Sequence, residues 1–435
     1  MRTRRLMASV AAVILAAAML LSGCTSLSLN SSDILTPPRA AGNRAELQKL
    51  IEKNAGGSYS LITPVSGEYK SGVVNHDFDG DGSEEAVAFY TDSKGAAGAL
   101  VASNRGGSYT ELGSCALSSP NISSVSFADT DADGTDELFI SCDTGSPSAK
   151  LSVCFVGEEL IKVDVAEGFI GFVTGDLDGD SAADILLFMP ANAEATAMAT
   201  LMTFINGVFH EKSSCEVDPA VEAYAKLSCG KISSAINGVA ADGVNEDGEY
   251  TTQLIYYDAK SNSLINPLFI YAGYDKTLRS SKIFACDANG DGVIEIPVCE
   301  PMKRSKDEDA SHVCTAVHWR RYEPKEIAPV PAGEALLCDT MGFTLNLKDD
   351  SFDEVTGRCA DATIMDLFAV SDSEKSILGD RLLTIRYYDK GGFSGGGSGE
   401  TAIYESETGV YTCELLEDSG YTLEEVKNGF KPIEK

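Results

Sequence analysis

The stretch Asp129-Thr-Asp-Ala-Asp-Gly-Thr-Asp-Glu137 is an acidic loop with carboxylates at positions one, three, five and nine and a glycine at position six. Calcium takes about six to eight oxygen ligands, and side chains at alternate positions of a tight loop can all face one ion. Glycine allows the sharp reversal of the chain. The apolar run 138–140 follows directly. The segment therefore predicts a calcium loop that leads into a β-strand.

The same spacing recurs in stretches that begin at Asp77, Asp176 and Asp287, which gives four clear copies. A weaker copy at 243–251 has Gly243 and Thr251 in place of acidic residues, and whether it binds metal is left open. Position seven of each clear copy would offer its backbone carbonyl. The predicted calcium ligands are Asp77, Asp79, Asp81, Ser83, Glu85, Asp129, Asp131, Asp133, Thr135, Glu137, Asp176, Asp178, Asp180, Ala182, Asp184, Asp287, Asn289, Asp291, Val293 and Glu295.

The flanks of the loops exclude an EF-hand, which needs a glutamate at position twelve and a helix on each side. Position twelve is apolar in all four copies: Ala88, Ile140, Leu187 and Val298. The runs after the loops are rich in Val, Ile, Phe and Tyr, as strands are. Copies recur roughly every 50 residues, which is room for about four short strands, the blade of a β-propeller. The expected fold is mainly β, a propeller of about five blades, with up to seven if further copies are too degenerate to recognise.

These loops resemble those of FG-GAP/VCBS repeats, which occur in the propellers of integrin α-subunits and in many bacterial surface proteins. The resemblance covers about residues 57 to 333 and is strong at the loops and weak between them. It implies that each loop lies between strands of a blade and binds calcium, here about four structural ions. The third copy departs from the pattern at Ser181, where a glycine is usual.

The N-terminus has the features of an export signal: three arginines within residues 1–5, then an apolar run at 6–21. It closes with Leu21-Ser-Gly-Cys24, which resembles the lipobox of bacterial lipoproteins. The resemblance implies that Cys24 is lipidated and anchors the chain at the extracytoplasmic face of the cell membrane. We expect a signal peptide at 1–23 and a flexible tether, rich in Ser, Thr and Pro, at 24–42.

The rest of the chain is expected to form two domains. Residues 43–335 would be the propeller, with a short N-terminal helix and a strand at 59–62 that completes the last blade. Residues 336–435 would be a small α+β domain, in which Thr422 and Glu425 form the capping box of a helix. The stretch 392–396 fits the Gly-x-Ser-x-Gly elbow of hydrolases, but further glycines around it favour a flexible hairpin loop.

Composition and motifs favour binding over catalysis. The formal charge of −32 argues against nucleic acid as a partner. Phosphate-binding and metalloprotease motifs are absent from the sequence. We expect a membrane-anchored binding or adhesion protein without catalysis, whose ligand is an unidentified protein or glycan. The alternatives are a polysaccharide-active hydrolase or lyase, or an accessory factor of an envelope complex.

Two smaller features leave alternatives open. His318-Trp-Arg-Arg321 is either a ligand contact or part of a packed strand, with packing favoured. Eleven cysteines remain besides Cys24, and the pairs Cys142/Cys154 and Cys286/Cys299 are conceivable disulfides. An odd number means that at least one thiol is free or bonded outside the chain.

Overall fold

The computed structural model describes residues 43–105, 108–145, 149–157, 159–270, 274–306, 308–326, 328–348, 352–371, 376–391 and 399–433. The expected signal peptide, Cys24 and the tether lie outside these ranges, as does the segment 392–398. None of the helices within the described ranges has the length and apolar character needed to cross a membrane.

The described residues form six antiparallel sheets, numbered here in chain order. Sheet 1 contains β1 Tyr59–Leu61, β2 Val73–His76, β3 Glu85–Asp92, β4 Ala97–Arg105 and β5 Ser108–Ala116. Sheet 2 contains β6 Ile122–Ala128, β7 Glu137–Asp143, β8 Ala149–Val156 and β9 Leu160–Phe169. Sheet 3 contains β10 Gly171–Gly175, β11 Asp184–Met189, β12 Met198–Ile205 and β13 Val208–Glu216.

The second half of the chain continues this pattern with longer connections. Sheet 4 contains β14 Ala223–Ser233, β15 Ile236–Val244, β16 Tyr250–Asp258 and β17 Ser263–Ile265. Sheet 5 contains β18 Ile296–Pro301, β19 Thr315–Arg321, β20 Val330–Cys338, β21 Phe343–Asn346 and β27 Phe430–Pro432. Sheet 6 contains β22 Val355–Asp361, β23 Ile364–Val370, β24 Leu378–Asp389, β25 Glu400–Glu405 and β26 Gly409–Leu415. The helices are α1 Asn43–Asn54, α2 Pro267–Ile270 and α3 Leu423–Gly429, with short 3-10 turns at Tyr274–Thr277, Ala310–His312 and Phe352–Glu354.

The hydrophobic core lies between consecutive sheets, each packed face to face on the next. Phe89 packs in the layer between sheets 1 and 2, and Phe139 in the layer between sheets 2 and 3. Phe188 and Leu336 lie in the layers between sheets 3 and 4 and between sheets 5 and 6. Stacked antiparallel sheets of four or five strands are the architecture of a β-propeller. The expected mainly β propeller fold is confirmed, and the number of blades stays a prediction.

The strands that follow the acidic loops are buried on both faces. Residues 85–90 of β3 and 184–188 of β11 are buried without a break. A strand covered on both sides reads as a continuous apolar run rather than as an alternation. The sandwiching of these strands therefore explains the apolar runs seen in the sequence after each loop.

The chain ends show two outcomes for local predictions. Helix α1 is the predicted short N-terminal helix, and it packs on sheet 1 through Leu47 and Ile51. The expectation that the strand at 59–62 completes the last blade is wrong. Strand β1 pairs instead with β3 of sheet 1, from Tyr59 opposite Asp92 to Leu61 opposite Tyr90.

The C-terminal hundred residues are closely tied to sheet 5. The expected division at 335/336 falls inside β20, and β27 returns to pair with β21. Helix α3 has the predicted capping box, in which Thr422 Oγ1 accepts from the Glu425 amide and the Glu425 carboxylate accepts from the Thr422 amide. The assignment of these residues to a separate domain stays a prediction.

Candidate metal loops and pockets

Four acidic loops lie directly before buried strands. Loop 1 (77–85) joins β2 to β3, loop 2 (129–137) joins β6 to β7, and loop 3 (176–184) joins β10 to β11. Loop 4 (287–295) leads into β18. In each loop the acid at position nine stands at the start of the strand and is buried: Glu85, Glu137, Asp184 and Glu295.

Backbone amides hold the carboxylates of each loop in one arrangement. In loop 2, the Gly134 amide donates to Asp129 Oδ2 at 3.0 Å, and the Thr130 amide donates to Glu137 Oε2 at 2.7 Å. The amides at positions five and seven donate to the side-chain oxygens two residues before them. The other three loops repeat these bonds. The carboxylates therefore converge on the inside of each loop.

The convergence produces carboxylate triads at positions one, three and nine. In loops 1, 2 and 3, one oxygen from each of these three acids lies within 4.8 Å of the others. The triads are Asp77, Asp79 and Glu85; Asp129, Asp131 and Glu137; and Asp176, Asp178 and Asp184. Loop 4 has Asn289 at position three, and its Nδ2 lies 3.3 Å from oxygens of both Asp291 and Glu295.

The predicted ligands at positions five and seven of each loop, an acid and a backbone carbonyl, are separate from the triads. Asp81, Asp133 and Asp180 do not belong to the triads. Each instead accepts a bond from the amide at position seven, at 2.8–2.9 Å. The ligand roles predicted for Ser83, Thr135, Ala182 and Val293 remain predictions.

Burial makes the ionised triads unfavourable without a cation. Burial raises the pKa of Glu137 to about 7, and burial with the nearby Asp178 raises the pKa of Asp184 to about 7. Burial likewise raises the pKa of Glu85 and Glu295. Desolvation and neighbouring negative charges both oppose ionisation of a carboxyl group, and a bound cation would reverse their effect.

The first acid of each loop divides the loops into two classes. In loops 1 and 2, Oδ1 of Asp77 and of Asp129 is buried and has no hydrogen-bond partner among the described residues. In loop 3, Oδ1 of Asp176 accepts from the Gly179 amide at 2.7 Å. In loop 4, Oδ1 of Asp287 accepts from the Gly290 amide at 2.7 Å. A buried acceptor without a donor destabilises the fold. In loops 1 and 2, a bound cation would supply the partner that this Oδ1 atom lacks.

Basic side chains approach three of the loops. Lys212 Nζ contacts Asp178 in loop 3, and Arg321 Nη1 lies 3.2 Å from Asp291 in loop 4. The exposed Arg105 lies 3.6 Å from Asp79 and 3.8 Å from Asp81 in loop 1. Within the described ranges, no lysine, arginine or histidine forms an ion pair with the four predicted side-chain ligands of loop 2.

The weak copy at 243–251 occupies a different place in its sheet. It joins β15 to β16, the second and third strands of sheet 4, whereas loops 2 and 3 join the first and second strands of their sheets. Gly243 pairs with Thr251 in the strand ladder, and a Cβ at Gly243 would lie 2.5 Å from Val221. This segment is a hairpin turn, and the spacing of acids alone did not reveal the difference.

Beside that turn lies a buried ion pair that the sequence did not indicate. Arg279 Nη2 donates to Asp242 Oδ1 at 2.7 Å, and both side chains are fully buried. Thr252 Oγ1 and the Ala285 amide also donate to the Asp242 carboxylate. Each partner is satisfied, so the pair acts as a polar centre within sheet 4 and its neighbouring turn.

Two cavities are candidates for ligand binding. A first cavity, of about 480 Å³, is lined by β6, β10, β14 and residues 66–69, with Glu68 and Lys226 as its charged lining residues among those described. A second cavity, of about 530 Å³, lies beside Tyr387, Tyr404 and Tyr411, and none of its described lining residues is charged.

His76 and His318 both have side-chain partners within the fold. His76 stacks on Phe127 at 3.9 Å, and its Nε2 lies 2.7 Å from Asp136 in loop 2. His318 lies between Glu300 (2.9 Å) and Glu334 (3.4 Å) on the strands beside β19. These contacts agree with the strand-packing interpretation of the His318 cluster.

The cysteines come together in pairs other than those considered from sequence. All eleven described cysteines are free thiols. Cys115 and Cys154 have sulfurs 3.7 Å apart, and Cys338 and Cys359 have sulfurs 3.1 Å apart. Each of these pairs joins two neighbouring sheets, whereas the pairs considered from sequence were hairpin neighbours.

Comparisons with known proteins find solved structures that align with this chain at low similarity. No protein-family model matches the sequence, and no curated protein matches it. The Dos1 propeller aligns at 10% identity with a TM-score of 0.34, covering 82% of this chain and 81% of its own. The rhamnogalacturonan lyase PL11 of Bacillus licheniformis aligns at 9% identity with a TM-score of 0.33, and the alignment covers 74% of this chain and 77% of the lyase. The exotype rhamnogalacturonan lyase YesX aligns at 11% identity with a TM-score of 0.33, and the alignment covers 71% of this chain and 65% of the lyase. Similarities this low do not transfer an activity to this chain.

Proposed function

We propose that this protein is a lipid-anchored, extracytoplasmic binding protein whose propeller is stabilised by calcium and performs no catalysis. The observation that carries the calcium part is the buried, unpartnered Oδ1 of Asp77 and of Asp129. Each belongs to a carboxylate triad in a loop whose backbone already holds the side chains inward. Hard oxygen donors in this number suit calcium.

Calcium would act on stability through the carboxylates of the loops. Bound in loop 1 or loop 2, it would supply positive charge to a triad whose buried member, Glu85 or Glu137, has a raised pKa. These loops lead into the most buried strands of their sheets, so fixing a loop fixes the start of a core strand. The ion would therefore be structural.

The binding role is supported by the cavity lined by β6, β10 and β14. Its size is within the usual range for ligand pockets, and hydroxyl groups of serine, threonine and tyrosine dominate its polar lining. Hydrolysis of a glycosidic bond generally uses a pair of carboxyl groups. Glu68 is the sole carboxylate among the described lining residues. We therefore favour recognition of a protein or a glycan over hydrolysis at this surface.

The binding proposal is tested by adding the purified protein to a glycan array and to the same polysaccharides in solution, with calcium and with chelator. We expect calcium-dependent retention on the array and no new reducing ends or unsaturated products in solution. Product formation that is abolished by Glu68→Gln would overturn the proposal in favour of a polysaccharide-active enzyme.

The membrane anchor is proposed from the lipobox alone and has its own test. The full chain and its Cys24→Ser variant would be expressed with an acyl-chain label and separated into membrane and soluble fractions. We expect label and membrane retention for the parent and loss of both for Cys24→Ser. Cys229→Ser is the matched control, because Cys229 is the exposed cysteine of the described part. Equal retention of the parent and Cys24→Ser would contradict the anchor.

A further inference from the structure

We propose that loop 3 carries its own cation, the ammonium of Lys212, and therefore does not bind calcium under conditions that fill loops 1 and 2. The inference rests on the proposed calcium sites and concerns which loops use the ion. Sequence alone makes loop 3 equivalent to the others, because it has acids at positions one, three, five and nine.

Lys212 is placed to neutralise one acid of the loop 3 triad, Asp178. It extends from β13, and its Nζ contacts Oδ2 of Asp178, whose side chain is 1% exposed. The Nζ also lies 4.9 Å from the centroid of the Tyr257 ring, on the favourable face for a cation. A buried carboxylate needs a charged or hydrogen-bonding partner. In loop 3 this partner is supplied by the chain itself.

The first acid of loop 3 is also satisfied without metal. Oδ1 of Asp176 accepts from the Gly179 amide at 2.7 Å, whereas the equivalent atoms of Asp77 and Asp129 have no partner among the described residues. Two separate ligand positions are therefore occupied in loop 3. An incoming calcium ion would have to displace the hydrogen bond from the Gly179 amide and would be repelled by the Lys212 ammonium.

The turn itself does not account for the difference. Ser181 replaces glycine at position six but has φ 77°, close to φ 89° for Gly134 in loop 2. Its amide donates to Asp176 Oδ2 just as the Gly134 amide donates to Asp129 Oδ2. Because the backbone at position six is retained, Ser181 does not explain the difference, and the distinguishing elements are the bond from the Gly179 amide and the lysine side chain.

Loop 4 shows a related arrangement with different residues. Asn289 removes one carboxylate, and Arg321 lies 3.2 Å from Asp291. Oδ1 of Asp287 is satisfied by the Gly290 amide. We therefore expect two calcium ions per chain, in loops 1 and 2, rather than four.

The test is a direct count of bound calcium in the metal-stripped full chain, by equilibrium dialysis with radioactive calcium. The parent should bind two ions. Lys212→Met removes the charge and keeps an apolar stem, and it should bind three. Repulsion between like charges at contact distance is strong, so the third site should tighten on the order of tenfold or more in Lys212→Met. Arg105→Met, which removes an exposed charge beside loop 1, should still bind two.

The outcomes separate the two proposals. Three or four ions on the parent, or two on Lys212→Met, would overturn the assignment to Lys212. No calcium on any variant would overturn the calcium proposal itself. If Lys212→Met does not fold, Asp178→Asn in the parent decides the matter, because a count equal to that of the parent supports the inference and the loss of one ion contradicts it. Ser181→Gly should raise the melting temperature without changing the count.

Discussion

Loop 2 offers the most direct test of the metal assignment, through the substitution Asp129→Asn. The amide side chain keeps the size of the original and the oxygen that accepts from Gly134. It removes the negative charge and replaces one carboxylate oxygen with a donor. Since Oδ1 of Asp129 is the buried atom without a partner, the substitution removes the ligand that most needs calcium.

The expected magnitude follows from mass action. Extracellular calcium modules bind at roughly 10⁻⁴–10⁻³ M, so calcium at about 10 mM stabilises the folded state by roughly 1.4–2.7 kcal/mol per site. For domains of about 150–250 residues, 1 kcal/mol moves the melting temperature by about 2–4 °C. Two sites in the parent should therefore give an increase on the order of 6–20 °C, and Asp129→Asn should lose about half of it.

The assay is thermal unfolding in chelator and in about 10 mM calcium, which is about ten times the largest dissociation constant expected. In chelator, Asp129→Asn should melt at or above the temperature of the parent, because one of four neighbouring carboxylates has lost its charge. Asp176→Asn in loop 3 is the matched control and should keep the full calcium increment. The reasoning is refuted if Asp129→Asn keeps the full increment, or if Asp176→Asn loses as much as Asp129→Asn.

Two further predictions concern the same carboxylates and the buried ion pair. In chelator, the melting temperature should rise as the pH is lowered from 8 to 6. The pKa of Glu137 and of Asp184 in the folded chain is about 7, so the folded chain takes up protons in this range that the unfolded chain does not. The free energy of unfolding therefore falls as the pH rises through this window. Glu137→Gln should flatten this slope, and a slope of opposite sign would contradict the raised pKa values. Arg279→Met should lower the free energy of unfolding in urea by about 3–5 kcal/mol, because Asp242 would remain buried without its charged partner. The double variant Arg279→Met/Asp242→Asn should recover part of this loss, and no recovery would argue against the pairing as its cause.

Local signals carried the predictions that succeeded. The loop spacing, the apolar runs and the Thr422 capping box each depend on residues within about a dozen positions, and the structure confirms the strands and the helix they indicated. The failures depend on distant residues. Lys212 reaches loop 3 from the end of the same sheet, and Arg279 reaches Asp242 across a separate turn. Strand β1 could pair with any exposed edge, and sequence does not specify which edge is free.

The loops also contact one another, which gives the metal a role beyond its own loop. The Asp136 amide of loop 2 donates to the Phe78 carbonyl of loop 1 at 2.8 Å, and the Ala183 amide of loop 3 donates to the Asp129 carbonyl of loop 2 at 2.7 Å. His76, directly before loop 1, reaches Asp136. Loops 1 to 3 therefore form one connected edge across sheets 1, 2 and 3. The ammonium of Lys212 contacts Asp178 at the loop 3 end of this edge, and calcium in loops 1 and 2 would stabilise the remainder. The part of the propeller whose order depends on calcium would then be sheets 1 and 2. A chelator should therefore loosen these two sheets before sheet 3. Hydrogen exchange measured with and without chelator would show that order, because protection in β3 and β7 should fall while protection in β11 is retained.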